Sequence, residues 1–155
     1  DLILAPYRHG SQRPKRRGQH IPPLSLARAL RTPMENLVIA AQLVIALGLL
    51  NVWVLRFGKA TAYRGGAAQN MREEFAAYGL PSWALFAVGG LKLTIAGLLI
   101  AAVWFAGLRQ PAAAALALLM IGAVLMHVRV RDPLVRSVPA LGMLALSAFV
   151  ALGVS

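Results

Sequence analysis

Four long apolar runs, each bounded by charged or turn-forming residues, organise the chain. They cover about 36–57, 82–106, 111–130 and 134–154. Each is close to the roughly 20 residues that a helix needs to cross a hydrocarbon core of about 30 Å. Membrane-spanning β-strands are excluded, because they would be shorter and would alternate apolar with polar positions. The pattern therefore predicts an all-α fold, a four-helix transmembrane bundle that makes up a membrane domain of residues 36–155.

The connection between spans 1 and 2 carries a different, amphipathic pattern. Helical spacing over residues 67–78 places Met71, Phe75 and Tyr78 on one face and charged residues on the other. Gly79 then suits the left-handed position that often follows a helix. We expect a short amphipathic helix that lies along the membrane surface.

Residues 1–35 form a basic N-terminal arm that is rich in proline and glycine. No hydrophobic period runs through the arm, and its prolines disfavour a long helix. We expect one or two turns of interfacial helix over 24–30, and a start of span 1 at Thr32, with Pro33 and Glu35 in its first turn. Since such an arm cannot order itself, we expect it to lie in extended form on a partner protein. The basic residues of this partner-binding arm are Arg8, Arg13, Lys15, Arg16, Arg17, Arg28 and Arg31.

The chain is strongly basic, with a net charge of +11 from 16 Lys and Arg against 5 Asp and Glu. Most of these basic residues stand in the arm or at the ends of apolar runs, and the mean hydropathy is +0.67. Charges placed in this way set membrane topology and contact anionic lipid headgroups. We therefore expect membrane lipids as partners and no nucleic acid, with both termini on the cytoplasmic or stromal side.

The residues that enzymes use most often are missing or badly spaced. There is no cysteine, which excludes disulfides, thiol redox chemistry, cysteine-ligated clusters and c-type haem. No nucleophile elbow, phosphate loop or metal-ligand spacing occurs, and adjacent Glu73 and Glu74 point about 100° apart on a helix, as on a solvated face. We expect no enzyme, no catalytic residue and no metal site. The chain opens with Asp1 rather than Met, so we expect a processed product or part of a longer one.

One charge, Lys92, lies deep inside an apolar run, about 15 Å from the start of span 2 at about 1.5 Å rise per residue. Its side chain cannot reach the membrane surface from there, so it must meet protein, water or a ligand. Because successive spans run in opposite directions, Asn51, Lys92 and His127 share one half of the bilayer. One expectation is a satisfied polar cluster in which Lys92 pairs with Glu73 or Glu74. The alternatives are a pocket for a quinone headgroup, or proton transfer.

A chlorophyll needs only one axial ligand, which can come from His127, Gln42 or Asn51. A b-type haem usually needs two axial ligands, and no second histidine lies in any span. We therefore expect no intrinsic cofactor. Lipid, quinone, chlorophyll or carotenoid is expected only at an interface with partners.

Small residues recur at helix-contact spacing in span 2, which lets a neighbouring backbone approach closely. We expect this stripe to pack within the protein or, alternatively, against another subunit. Trp53 and Trp83 are expected to anchor span ends at the membrane interface. The stripe consists of Gly90, Thr94, Gly97 and Ala101.

Four segments stand in a recognisable order: 70–83 (NMREEFAAYGLPSW), 88–92 (VGGLK), 120–127 (MIGAVLMH) and the turn 131–133 (RDP). Together they resemble the DoxX-like family of small four-helix membrane proteins, over about residues 37–153. The resemblance implies a four-helix membrane bundle with an ionisable residue, often an acidic one, at the position of Lys92. The family includes subunits associated with quinol oxidases and partners of redox complexes.

Two hypotheses for the function follow. The first is a non-catalytic accessory subunit of a larger energy-converting membrane complex, photosynthetic or respiratory, anchored to other membrane subunits by the basic arm. The second is a redox-associated membrane module that binds a quinone near Lys92. A small transporter or a chaperone-like membrane protein is a third hypothesis. In each case we expect an integral multi-pass protein of a bacterial inner membrane or of an organelle membrane such as the thylakoid.

Overall fold

The computed structural model describes the backbone of residues 23–153 and the side chains of residues 33–153. The regular structure of these residues is helical. No strand occurs in this part of the chain. Helix α1 continues without a break into one π-helical turn, Asn51–Leu55, and a 3₁₀ turn, Ala106–Leu108, precedes α4. The five α-helices are α1 (Pro23–Leu50), α2 (Met71–Ala77), α3 (Ser82–Ala101), α4 (Arg109–Arg129) and α5 (Leu134–Leu152).

Four helical stretches are long and apolar enough to cross a membrane: Pro33–Leu55, Ser82–Ala101, Ala106–Arg129 and Leu134–Leu152. Helix α1 packs on α3 and α5, and α4 completes the ring by packing on the same two helices. The prediction of an all-α, four-helix membrane bundle is confirmed. The bundle turns apolar side chains outward on every spanning helix, as a lipid-facing surface requires.

The predicted helix start at Thr32 is wrong, although the candidate membrane span itself begins close to the predicted position, at Pro33. Helix α1 begins at Pro23, so Thr32 does not cap it and Pro33 lies inside it. Proline suits the first position of a helix, which makes Pro23 a favourable start, and residues 24–30 join the same helix rather than forming a separate turn. The arm is thus helical from Pro23 onward, Arg28 and Arg31 included. Its other predicted basic residues lie outside the described residues.

The main core lies where the four spanning helices meet. Its large members are Ile45, Ile95, Leu99 and Leu116, all with 2% exposure or less. Between them stand many alanines from α1, α3 and α4. Small residues let the helix axes approach closely, which matters in a membrane because lipid is as apolar as the core itself.

A second, smaller core forms where α2 folds back over α3 and the end of α1. It contains Trp53, Met71 and Phe75, and the apolar face predicted for the amphipathic helix is buried as expected. Asn70 caps α2 by accepting a hydrogen bond from the Glu73 amide at 3.0 Å. Trp53 is therefore not the interface anchor that the sequence suggested, since only 7% of it is exposed. Trp83, at 70%, is exposed at the start of α3.

The small-residue stripe of α3 does not pack within the described chain. Gly90, Thr94 and Gly97 face outward, and a Cβ built on either glycine would meet no atom within 4 Å. The inward position is Gly89, one residue earlier, and Ala101 is partly buried. The expectation of packing inside the protein is therefore wrong for both outward glycines, whereas contact with another subunit stays a prediction.

Replacing Gly89 with alanine is expected to destabilise the protein by about 1–3 kcal/mol, the usual range for an overpacked core. A Cβ at Gly89 would lie 2.6 Å from Cζ3 of Trp53. The rigid indole ring cannot yield easily, because Phe75 packs edge-on against it with ring centroids 6.1 Å apart. Thermal unfolding of the purified protein in detergent measures the effect. Gly90→Ala, one residue away and facing open space, is the matched control, and equal melting temperatures for the two variants would contradict the prediction.

Candidate functional site

A cavity of about 620 Å³ occupies the half of the bundle nearest the 58–80 connection. Its volume is within the range of about 300–1,000 Å³ that is typical of small-molecule sites. Asn51, Lys92 and His127, the residues predicted to share one half of the bilayer, all line it. Gln42 does not. It lies fully buried in the main core, and neither its amide nitrogen nor its amide oxygen has a hydrogen-bond partner in the described structure.

Small residues line the cavity from all four spanning helices. Gly48 lies on α1, Ala84 lies on α3, Gly122 and Ala123 lie on α4, and Ala140 lies on α5. A Cβ built on Gly122 would meet no atom within 4 Å, so that position opens directly into free space. Most of the remaining wall is apolar, formed by leucine, methionine and aromatic side chains. The polar and charged lining residues come mainly from the end of α1, the 58–80 connection and the facing ends of α4 and α5.

The π-helical turn at the end of α1 contributes three residues of this wall, Asn51, Val52 and Trp53. The Arg56 amide donates to the Asn51 carbonyl at 2.9 Å, a bond across five residues rather than four. Asn51 and Trp53 both line the cavity, and Trp53 also packs on the bare backbone of Gly89.

Lys92 is the charge nearest the apolar part of the cavity. Its Nζ atom lies 5.3 Å from the centroid of the Trp53 ring, within range of a cation–π contact. No carboxylate among residues 33–153 comes within 4 Å of it, so the expected pairing with Glu73 or Glu74 is wrong. An exposed or partly desolvated cation–π contact contributes about 0.5–2 kcal/mol. An unpaired lysine at mid-bilayer costs at least about 2.5–3.5 kcal/mol, so its charge is incompletely compensated.

Glu74 is engaged elsewhere, in a buried ion pair with Arg64. Arg64 Nη1 donates to Glu74 Oε2 at 2.8 Å, and only 5% of the Arg64 side chain is exposed. The same guanidinium also donates to the carbonyls of Lys59 and Arg56. The other oxygen of Glu74 accepts from the Gly65 amide at 2.9 Å. The expectation that Glu74 belongs to a solvated face is therefore wrong, whereas Glu73 is exposed.

The hydrogen bonds continue from Glu74 to the turn between α4 and α5. The Tyr78 hydroxyl donates to Glu74 Oε1 at 3.1 Å and lies 3.2 Å from Nδ1 of His127. His127 Nδ1 donates to Asp132 Oδ2 at 2.8 Å. Since a carboxylate only accepts, this contact keeps the proton of a neutral His127 on Nδ1. Asp132 also accepts from Arg136 at 2.7 Å.

These contacts set the protonation states of the Tyr78 hydroxyl and the Asp132 carboxyl group. Burial and the nearby Glu74 carboxylate raise the pKa of Tyr78 well above its usual range, so its hydroxyl stays protonated and can donate. Burial by itself would raise the pKa of Asp132. Hydrogen bonds from His127, from the Gly66 amide and from Arg136 outweigh that effect and lower the pKa of Asp132 below its usual value.

We call the connected set Arg64, Glu74, Tyr78, His127, Asp132 and Arg136 the polar chain. Within it, the positive charges of two arginines are balanced by the negative charges of two carboxylates. The polar chain joins the 58–80 connection to the α4–α5 turn and closes one end of the cavity. No group of three His, Asp or Glu side chains suited to a metal ion occurs in the described part of the protein.

Sequence reasoning found His127 but missed the other members of the polar chain as a site. Its arginines were counted only as topology signals, and Tyr78 was assigned only to the apolar face of α2. The available signal was the pair of turns, Arg64-Gly65-Gly66 and Arg131-Asp132-Pro133. The antiparallel order of the spans places both turns at the same end of the bundle.

Four spanning helices around a cavity of ligand size define a small polytopic membrane protein. The family model for the DoxX-like family matches residues 45–150, well over half of the chain. The chain belongs to the DoxX-like family, and the resemblance seen in the sequence is confirmed. No curated protein and no solved structure matches it.

Replacing Asp132 with asparagine is expected to destabilise the protein by about 3 kcal/mol at pH 7, near the lower end for a broken buried ion pair, because Arg136 keeps access to water. The lowered pKa of Asp132 means that its contribution is present above the unfolded pKa of about 3.9. The contribution is lost as the pH falls through the folded value. Thermal unfolding should thus show a large gap between wild type and Asp132→Asn at pH 7 that narrows toward pH 3. Glu35→Gln, the same change at an exposed carboxylate, is the control; a gap that does not depend on pH would contradict the linkage.

Proposed function

We propose that this protein binds a lipophilic small molecule with a hydrogen-bonding headgroup inside the membrane, and that a quinone is the ligand class. The observation that carries the proposal is the cavity of about 620 Å³, with apolar walls and three converging polar side chains, Asn51, Lys92 and His127. Ligand sites in membrane bundles are built in this way from side chains of facing helices.

The polar groups suit the two carbonyl oxygens of a quinone. The Lys92 ammonium and the Asn51 amide are donors, and a carbonyl oxygen accepts from either. The indole of Trp53 lines the same region and offers an aromatic face to a flat ring. A polyprenyl tail is apolar and fits the leucine and methionine wall.

Fluorescence of Trp53 tests the proposal directly, because a quinone bound in the cavity quenches it. Trp83 and Trp104 are both exposed, so replacing them with phenylalanine leaves Trp53 as the reporter. Decylubiquinone titrated into this variant in lipid nanodiscs is expected to quench Trp53 along a saturable curve. Gly122→Leu, which places a side chain in the free space of the cavity, is expected to weaken binding at least tenfold.

Gly97→Leu is the matched control for occlusion. It makes the same change in a spanning helix, at a position that faces open space on the outside of the bundle. It is expected to leave the titration unchanged. Non-saturable quenching, or equal affinities of the Gly122 and Gly97 variants, would show that the quinone stays in the lipid and would refute the proposal.

A second candidate function is a structural role, as an accessory subunit of an energy-converting membrane complex. The open stripe of Gly90, Thr94 and Gly97 supports it, because outward small residues suit close contact with a helix of another subunit. This role does not exclude ligand binding.

Purification of the tagged protein from its native membranes tests the structural role. Replacing both Gly90 and Gly97 with leucine is expected to release membrane partners that co-purify with the wild type, while the bundle stays folded. Deleting residues 1–22, which removes none of the described helices, is expected to weaken the association through the arm. Full recovery of the partners with both variants would count against an accessory subunit, and Gly122→Leu, inside the cavity, controls for the substitution itself.

A further inference from the structure

We infer that the cavity selects an acidic headgroup, and that its preferred occupant is a single-chain amphiphile with one negative charge, such as a carboxylate, paired with Lys92. The inference rests on the proposed intramembrane binding site and goes beyond its quinone ligand: an acid that pairs with Lys92 is expected to bind in that site more tightly than an uncharged headgroup does. It follows from how the charges around the cavity are distributed.

The first step concerns Lys92 itself. Its ammonium makes no hydrogen bond to any described side chain or carbonyl, and no carboxylate of residues 33–153 lies within 4 Å. The ring of Trp53 is its nearest described electrostatic partner, at 5.3 Å from Nζ to the centroid. An aromatic face attracts a cation but carries no net charge. The positive charge at the apolar wall is therefore not neutralised.

The second step concerns the carboxylates that would otherwise neutralise it. Glu74 is the single carboxylate among the residues that line the cavity. Both of its oxygens are occupied, one by Arg64 and the other by the Gly65 amide and the Tyr78 hydroxyl. Turning Glu74 toward Lys92 would leave Arg64, which is 5% exposed, as a buried unpaired charge.

Asp132 is committed in the same way. Its Oδ1 accepts from the Gly66 amide and from Arg136, and its Oδ2 accepts from His127. The polar chain is thus neutral and fully bonded without Lys92. The charge of Lys92 is surplus to it, and a ligand is the remaining source of a counter-charge.

The third step concerns the mouth of the cavity. Arg56 also lines it, on the exposed side, and no carboxylate of the described residues pairs with it within 4 Å. One cation at the mouth and one at the apolar wall produce a positive potential along the cavity, which attracts an anion. Beyond Lys92 the wall is apolar, so the rest of the ligand must be a hydrocarbon chain.

A pair of probes that differ only in headgroup tests this inference. The acid 6-bromoundecanoate and the alcohol 6-bromoundecanol have the same chain, and their mid-chain bromine quenches tryptophan at short range, close to a headgroup held at Lys92. Each is titrated at pH 8 into the variant that keeps only Trp53, in phosphatidylcholine nanodiscs. The acid is expected to bind at least tenfold more tightly than the alcohol, which corresponds to about 1.4 kcal/mol.

Substitutions at Lys92 test whether its charge causes the preference for the acid. Lys92→Met keeps an unbranched side chain without the charge, and it is expected to remove the preference for the acid, so that the acid and the alcohol bind with similar affinity. Lys92→Arg keeps the charge and is expected to retain the preference for the acid. Gly122→Leu is expected to weaken both probes, since it fills the space that both occupy.

The outcomes separate this inference from the proposal beneath it. Equal affinities for acid and alcohol, with saturable binding of both, would overturn the acidic preference and leave the binding site standing. Absence of saturable binding by both probes and by decylubiquinone would overturn both. A preference that survives Lys92→Met would refute the role of Lys92, and displacement of the acid by phosphatidylglycerol in the nanodisc would refute the single-chain assignment.

Discussion

The hydrogen-bonded chain from Arg64 to Arg136 is the constraint on which the cavity depends. It joins two segments that are distant in sequence, the 58–80 connection and the α4–α5 turn, through contacts of 2.7–3.2 Å between side chains. Removing any one member would leave a buried donor or acceptor unpaired, which costs more than the bond itself contributes. The end of the bundle is therefore held by polar contacts of fixed geometry, while the space beneath it stays open because small residues line α4 and α5.

This division between polar and apolar parts also explains why Lys92 stands apart. In a low-dielectric interior, an ionised group is stable only where it has hydrogen-bonding partners. Glu74 and Asp132 each have several such partners. Lys92 is one helix removed from them, against Trp53. A purely structural lysine would be expected to join the polar chain or to be replaced by an apolar residue, since a buried ion pair rarely adds stability over good packing. Its separation from that chain is easier to understand as a property of the cavity than as a property of the fold.

The sequence was sufficient for the spanning helices and for part of the site. Span length and the alternating direction of the spans brought Asn51, Lys92 and His127 to one half of the bilayer, where they line one cavity. It was not sufficient for Glu74, Trp53 or the start of α1. The environment of Glu74 depends on Arg64, ten residues earlier in a glycine-containing connection whose course no periodic pattern reveals. Trp53 lies four residues after the buried Leu49 and so continues the inward face of α1, but an aromatic residue near the end of a span also fits an interface anchor.

The neighbouring glycines of α3 show the limit of periodicity most clearly. Gly89 touches Trp53, whereas Gly90 faces outward with free space around it. In a soluble helix the polar face would reveal which of the two points to the core. In a membrane helix both faces are apolar, so a register error of one residue leaves the sequence pattern unchanged. Only the ring of Trp53, on the inward face of α1, distinguishes them. The same ring lines the cavity beside Lys92, so the position of one aromatic side chain determines both how α1 packs on α3 and what the cavity presents to a ligand.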